Sequence, residues 1–147
     1  MDWPEYVRTG AAVVASGSVV IAVQAFWEGR KQAQTAFEDA LAREYRGITG
    51  ALPAGAFFND AAVDLSDEER KAMFRYFDLS NEQLRLAEEG RIRAETVVVW
   101  RAGIRDLMGE TTFRAAWLSL HPHLPQDFFS SLNRLMAEQE RDASETA

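Results

Sequence analysis

Nineteen consecutive residues, Thr9 to Trp27 (TGAAVVASGSVVIAVQAFW), carry no charged side chain. As a helix this run spans roughly 28 Å, close to the ~30 Å hydrocarbon core of a bilayer. A buried helix in a soluble bundle rarely runs so far without a charge. The run therefore predicts a membrane-spanning anchor helix over residues 1–29. Trp3 and Tyr6 precede it, and Phe26 and Trp27 close it. Amphipathic rings favour the two headgroup regions, so these four are expected as interfacial anchors. Asp2, Pro4 and Glu5 supply an N-cap acid, an early proline and a first-turn acid.

The insertion drive is modest. Five Val, one Ile and one Phe contribute on the order of −3 kcal/mol, and Thr9, Gly10, Ser16, Gly17, Ser18 and Gln24 offset part of it. A cleaved secretory signal is the competing reading, since Val23-Gln24-Ala25 fits a small-residue cleavage site. The flank disfavours it, because Asp2 and Glu5 outnumber Arg8 where a signal peptide needs positive charge. Past the run come Arg30, Lys31, Arg43 and Arg46. The positive-inside rule then predicts a single-pass inner-membrane protein with its N-terminus outside and its C-terminal part in the cytoplasm.

Along the same helix, Ala11, Ala15, Ser18, Ala22, Ala25 and Gly29 recur every three or four residues and make one stripe. In lipid, helices associate through close backbone approach, so a stripe of small residues is a candidate interface for a second copy or another transmembrane protein. An Ala-rich chain also produces such spacings by composition alone. A second line, Gly10, Gly17 and Gln24, recurs every seven residues.

Beyond residue 29 the pattern predicts a helical domain over 30–140 and a polar tail over 141–147. Ala33, Ala36, Phe37, Ala40, Leu41, Tyr45 and Ile48 continue the first helix to about Arg46, where Gly47 is expected to stop it. Gly50, Pro53 and Gly55 mark a connector up to Leu65, tethered by Phe57-Phe58. Ser66-Asp67-Glu68-Glu69 is a capping box. The helix it opens carries Met73, Phe74, Phe77, Asn81 and Leu84 on one face and closes at Gly90. A fourth segment, Thr96 to Met108, aligns Val97, Trp100, Ile104 and Met108, although Thr96 to Val99 also has strand character. Thr111 or Thr112 is expected to cap a short helix bearing Phe113, Ala116, Trp117 and Leu120. His121-Pro122-His123-Leu124-Pro125 breaks the chain. A last helix uses Phe128, Phe129, Leu132, Leu135 and Met136 and dissolves into EQERDASETA. The fold class is all-α: one long N-terminal transmembrane helix extending into a small cytoplasmic helical bundle.

Chemistry is sparse. With 16 Lys+Arg against 23 Asp+Glu, the net charge of −7 excludes a duplex-binding surface, so no nucleic-acid partner is expected. The absence of Cys removes thiolate nucleophiles and Cys-based zinc sites. His121 and His123 would need a carboxylate from elsewhere, such as Asp127, to hold a metal, and turn chemistry is the simpler reading. The segment Tyr76 to Gln83 gathers polar groups in mid-helix. It reads either as a polar pocket or as a buried Asn81 hydrogen-bonded to a neighbouring helix, with Arg101 and Arg105 as charge partners for Asp78. No phosphate loop, nucleophile elbow or zinc-protease motif occurs, so no catalytic residue, cofactor or metal ligand is assigned.

The stretches VVIAVQAFWEGRKQ, YFDLSNEQLRLAEEGRI and VVVWRAGI resemble an uncharacterised bacterial family, a domain of unknown function. Its small proteins carry an N-terminal transmembrane helix and an aromatic-rich helical cytoplasmic domain. The resemblance implies topology and carries no catalytic residues. The expected role is an accessory or assembly subunit of a larger membrane complex, with the bilayer and another transmembrane protein or its own copies as partners. The alternatives are a membrane-acting effector or sensor, for instance in bacterial defence, and a helical enzyme working around Asp78 or His121.

Overall fold

The computed structural model describes the backbone of residues 3–145 and the side chains of residues 24–145. Every regular element among them is helical: α1 (Trp3–Thr49), α2 (Gly55–Phe58), α3 (Asp67–Glu88), α4 (Ala94–Gly109), α5 (Thr111–Leu120), a 3-10 turn (His121–His123) and α6 (Ser130–Glu145). The all-α expectation is met, and Thr96 to Val99 is helical despite its β-branched run. The chain divides into two units, Met1–Phe37 and Glu38–Ala147, with the division inside α1.

In the first unit, residues 24–33 expose their side chains, including Phe26 (65%) and Trp27 (54%). The two rings meet edge-on at 6.1 Å, and the Arg30 guanidinium lies 5.8 Å from the Trp27 ring. Among the described residues no helix is long and apolar enough to cross a membrane. Most of the charge-free run, residues 9–23, lies outside the residues whose side chains are described.

The second unit is built on one aromatic core. Phe77 and Phe113 are fully buried, and rings pack in sequence: Tyr76 on Phe113 at 4.9 Å, Phe77 on Trp117 at 5.2 Å, and Phe74 on Phe129 at 5.7 Å. Each such pair adds about 0.5–1.5 kcal/mol beyond its buried area. Leu41 and Ile48 of α1, Met73 and Leu84 of α3, Ile104 and Met108 of α4, and Leu132 and Leu135 of α6 complete the core. The helical spacings that predicted those stripes are thus realised.

The helix ends follow local chemistry where that chemistry is complete. Ser66 and Glu69 form the expected capping box: the Glu69 carboxylate accepts from the Ser66 N–H at 2.8 Å, and the Ser66 hydroxyl accepts from the Glu69 N–H at 3.4 Å. Gly90 takes a left-handed φ of +69° after α3. The Arg91 N–H then reaches the Leu86 carbonyl and the Gly90 N–H reaches that of Ala87, each at 3.0 Å, satisfying carbonyls the helix leaves open.

Five expectations are corrected. The first helix passes Gly47 and ends at Thr49, because burying Ile48 rewards another half turn and the Thr49 hydroxyl donates to the Tyr45 carbonyl at 2.9 Å. Phe57 tethers the connector through Phe113 at 5.4 Å, but Phe58 is 82% exposed. Neither Thr111 nor Thr112 caps α5, whose N-cap position is Glu110 with no side-chain cap bond. Thr112 is buried instead and accepts the Val63 N–H at 3.1 Å, so it pins the connector. Phe128 and Phe129 precede α6 rather than joining it, and Phe129 holds φ +56° to bury its ring. The sequence EQERDASETA stays helical to Glu145, its side chains mostly exposed.

Candidate functional site

Glu38 is the least expected group. Its spacing with Leu41, Tyr45 and Ile48 (three, four, three) places a carboxylate on the stripe that turns inward, and it is 4% exposed. Sequence reading passed it over as one acid among many. That same spacing was the available signal. Its Oε1 accepts the Arg93 backbone N–H at 2.9 Å, and its Oε2 accepts from Arg93 Nε at 2.8 Å, Arg93 Nη2 at 2.5 Å and the Thr96 hydroxyl at 2.9 Å. Burial works against the charge, but the Arg93 guanidinium, the Arg93 N–H and the Thr96 hydroxyl together hold the carboxyl below its ordinary value. All these bonds reach the residues that open α4, so the cluster fixes the end of α1 to the start of α4.

Asn81 decides the second polar cluster. Its Oδ1 accepts the Ser131 N–H at 3.0 Å and the Leu132 N–H at 3.2 Å. The expected hydrogen bond from Asn81 to a neighbouring helix is therefore present, although Asn81 is half-buried rather than buried. Asp78 is exposed and is not the partner of Arg101 and Arg105. Those two arginines converge instead on Glu138 of α6, at 2.7 and 3.2 Å, because α4 packs along α6.

The same polar segment also borders a cavity of about 290 Å³, lined by Ala42, Tyr45, Arg46, Tyr76, Gln83, Val99, Trp100, Gly103 and Ile104. Tyr76 is 1% exposed, and its hydroxyl has no hydrogen-bond partner among the described residues. Burial pushes its phenol well up; the Ser80 side chain one turn on, close enough to favour the phenolate but outside hydrogen-bonding geometry, opposes this, and the neighbouring Tyr45 phenol adds to it. Gln83 is also buried and lines the same cavity. No carboxylate pairs with Arg46 among the described residues. A larger cavity of about 430 Å³ has Met73, Phe74 and Phe77 as its floor and Arg70, Ser119 and His123 at its rim. Arg70 is already tied to the Leu65 carbonyl at 2.8 Å.

The two histidines go to different places. His121 stacks on Trp117 at 4.9 Å, whereas His123 faces the larger cavity. Among the described residues no group of three His, Asp or Glu is placed to hold a metal ion. Of the small-residue stripe, Ala25 and Gly29 are exposed, and nothing lies within 4 Å of where a Gly29 Cβ would stand. The side chains of Ala11, Ala15, Ser18 and Ala22, and of the anchors Trp3 and Tyr6, lie outside those described.

No family model matches the chain, and no curated protein or solved structure matches it.

Proposed function

We propose that the chain is a single-pass membrane protein serving as an accessory or assembly subunit, with Thr9 to Trp27 as its anchor and the unit Glu38–Ala147 as its docking domain in the cytoplasm. One observation carries the reading. The charge-free run ends in a Phe26–Trp27 pair whose rings are both exposed, with the Arg30 guanidinium over Trp27. Bare aromatic rings backed by a cation suit the headgroup layer, where an apolar face and a polar rim are satisfied together. Val98, Val99 and Leu118 are each more than 60% exposed, and such side chains favour a protein partner for the domain. The small-residue stripe from Ala11 to Gly29 would face that partner, or a second copy, within the membrane.

The absence of Cys makes the test direct. Single cysteines replace Trp3 and Ser144 in separate variants, and a membrane-impermeant maleimide is applied to intact cells before and after lysis. The proposal expects pelleting after a carbonate wash, labelling of Trp3→Cys in intact cells, and labelling of Ser144→Cys only after lysis. Release by carbonate would overturn the anchor, and the opposite labelling pattern would overturn the orientation. A strictly monomeric species with no copurifying protein would remove the assembly role.

A second reading, a membrane-tethered sensor, is favoured by the cavity beside Trp100, where the buried Tyr76 hydroxyl has no partner among the described residues.

A further inference from the structure

The cavity between the end of α1, α3 and α4 combines three features that packing alone does not call for. It holds the buried Tyr76 hydroxyl, which has no partner of hydrogen-bonding geometry among the described residues, and the Gln83 side chain lines the same space. Buried polar groups in folded proteins are nearly always paired, and each unpaired one costs about 1–3 kcal/mol. An arginine unpaired among the described residues, Arg46, lines the same space. Ala42, Trp100 and Ile104 give the cavity apolar and aromatic lining. Gly103 lines it too, and a Cβ there would meet nothing within 4 Å.

We infer that this cavity is a binding site for a small aromatic carboxylate of one or two rings. Its volume of about 290 Å³ suits a compact molecule and excludes a long lipid chain. The ring would lie against Trp100 and Ile104, where aromatic contacts add to area burial. The carboxylate would meet the Arg46 guanidinium, whose planar fork matches it. Burial keeps the Tyr76 phenol protonated, so its O–H is available to donate to a bound anion. The inference bears on the sensor reading but rests on the cavity alone, and it holds whether or not the chain is anchored.

The test titrates 1-naphthoate into the full-length chain in detergent micelles, with 1-naphthalenemethanol as the uncharged counterpart. Binding is followed by calorimetry and by the amide resonance of Gly103 and the indole resonance of Trp100. Saturable heat with shifts at both resonances is expected. Gly103→Leu projects its side chain into the open space and should abolish the saturable heat and the Trp100 shift, with micelle partitioning left as the background. Arg46→Gln should weaken 1-naphthoate by about tenfold and leave the alcohol unchanged. No saturable shift at Gly103 in the native chain would overturn the site. So would undiminished binding in Gly103→Leu. Equal effects of Arg46→Gln on both probes would overturn the carboxylate assignment. A thermal melt accompanies each variant. If Gly103→Leu does not fold, the surface change Arg46→Gln decides by the same split between the two probes.

Discussion

The Asn81 Oδ1 atom on α3 accepts the backbone N–H of Ser131 at 3.0 Å, and with it the N–H of Leu132, so one helix caps another. The first turn of a helix leaves its N–H groups without partners, and the residue before the helix normally supplies the acceptor. Here that residue is Phe129, whose side chain has no acceptor and is buried in the core. Asn81 does the capping from fifty residues away. It also explains why α6 begins at Ser130 rather than at the aromatic pair before it.

Asn81→Ala should therefore destabilise the domain by about 1–2 kcal/mol, the range for a lost cap with buried donors left open. Asn81→Asp keeps the acceptor and adds a charge favourable to a helix N-terminus, so it should stay near native stability. Chemical denaturation of the three proteins checks this. Equal losses in both variants would show that packing, rather than the acceptor, is what matters.

The Glu38 cluster makes a pH-dependent prediction. The folded carboxyl titrates below its unfolded value, so the stability it contributes is full above about pH 4.5 and falls away as the pH drops through the folded value. Glu38→Ala should cost about 2 kcal/mol at neutral pH, discounted from a fully buried pair because the Arg93 side chain is half exposed. Arg93→Met leaves the carboxylate buried with fewer donors, so its value should rise and the acid-side decline due to Glu38 should shrink. Melting temperature against pH between 3 and 7 for the three proteins measures the difference. Parallel curves for native and Arg93→Met would refute the assignment.

Thr112→Val preserves shape but strips the acceptor from the Val63 N–H. A loss of about 1–2 kcal/mol is expected, with Thr112→Ser recovering part of it, because serine restores the oxygen without the methyl. Hydrogen exchange at the Val63 amide reports the bond itself. Slow exchange of that amide in the valine variant would count against it.

Two glycines should respond with opposite signs to the same change. Gly90 holds φ +69°, so Gly90→Ala should cost about 1 kcal/mol through backbone strain, although nothing crowds the site. Gly103 is helical with open space around it, so Gly103→Ala should gain about 1 kcal/mol from helix propensity. Thermal unfolding of the pair measures both shifts.

Much of the helical unit could be read along the chain. The Ser66–Glu69 box, the Gly90 stop and the Met73–Phe77–Leu84 and Ile104–Met108 stripes each depend on residues three to seven apart, and the structure contains them all. The candidate cavity was half visible: Tyr76 to Gln83 stood out as a polar segment, but nothing local linked it to Arg46 or Trp100. Glu38 escaped notice because a carboxylate on an apolar stripe is ordinary until a partner 55 residues away makes it buried.

The amino-acid order by itself determined which segments become helices, which faces turn inward and where complete capping chemistry starts or stops a helix. Those are short-range properties, settled by backbone hydrogen bonding and by the 3.6-residue period. Tertiary structure alone decided which helix caps α6, which acid Arg101 and Arg105 hold, and why Thr112 serves the connector instead of its own helix. These pairings depend on how helices slide and cross as their aromatic rings find close packing. A shift of one turn, about 5.4 Å, would exchange every partner while leaving each helix intact.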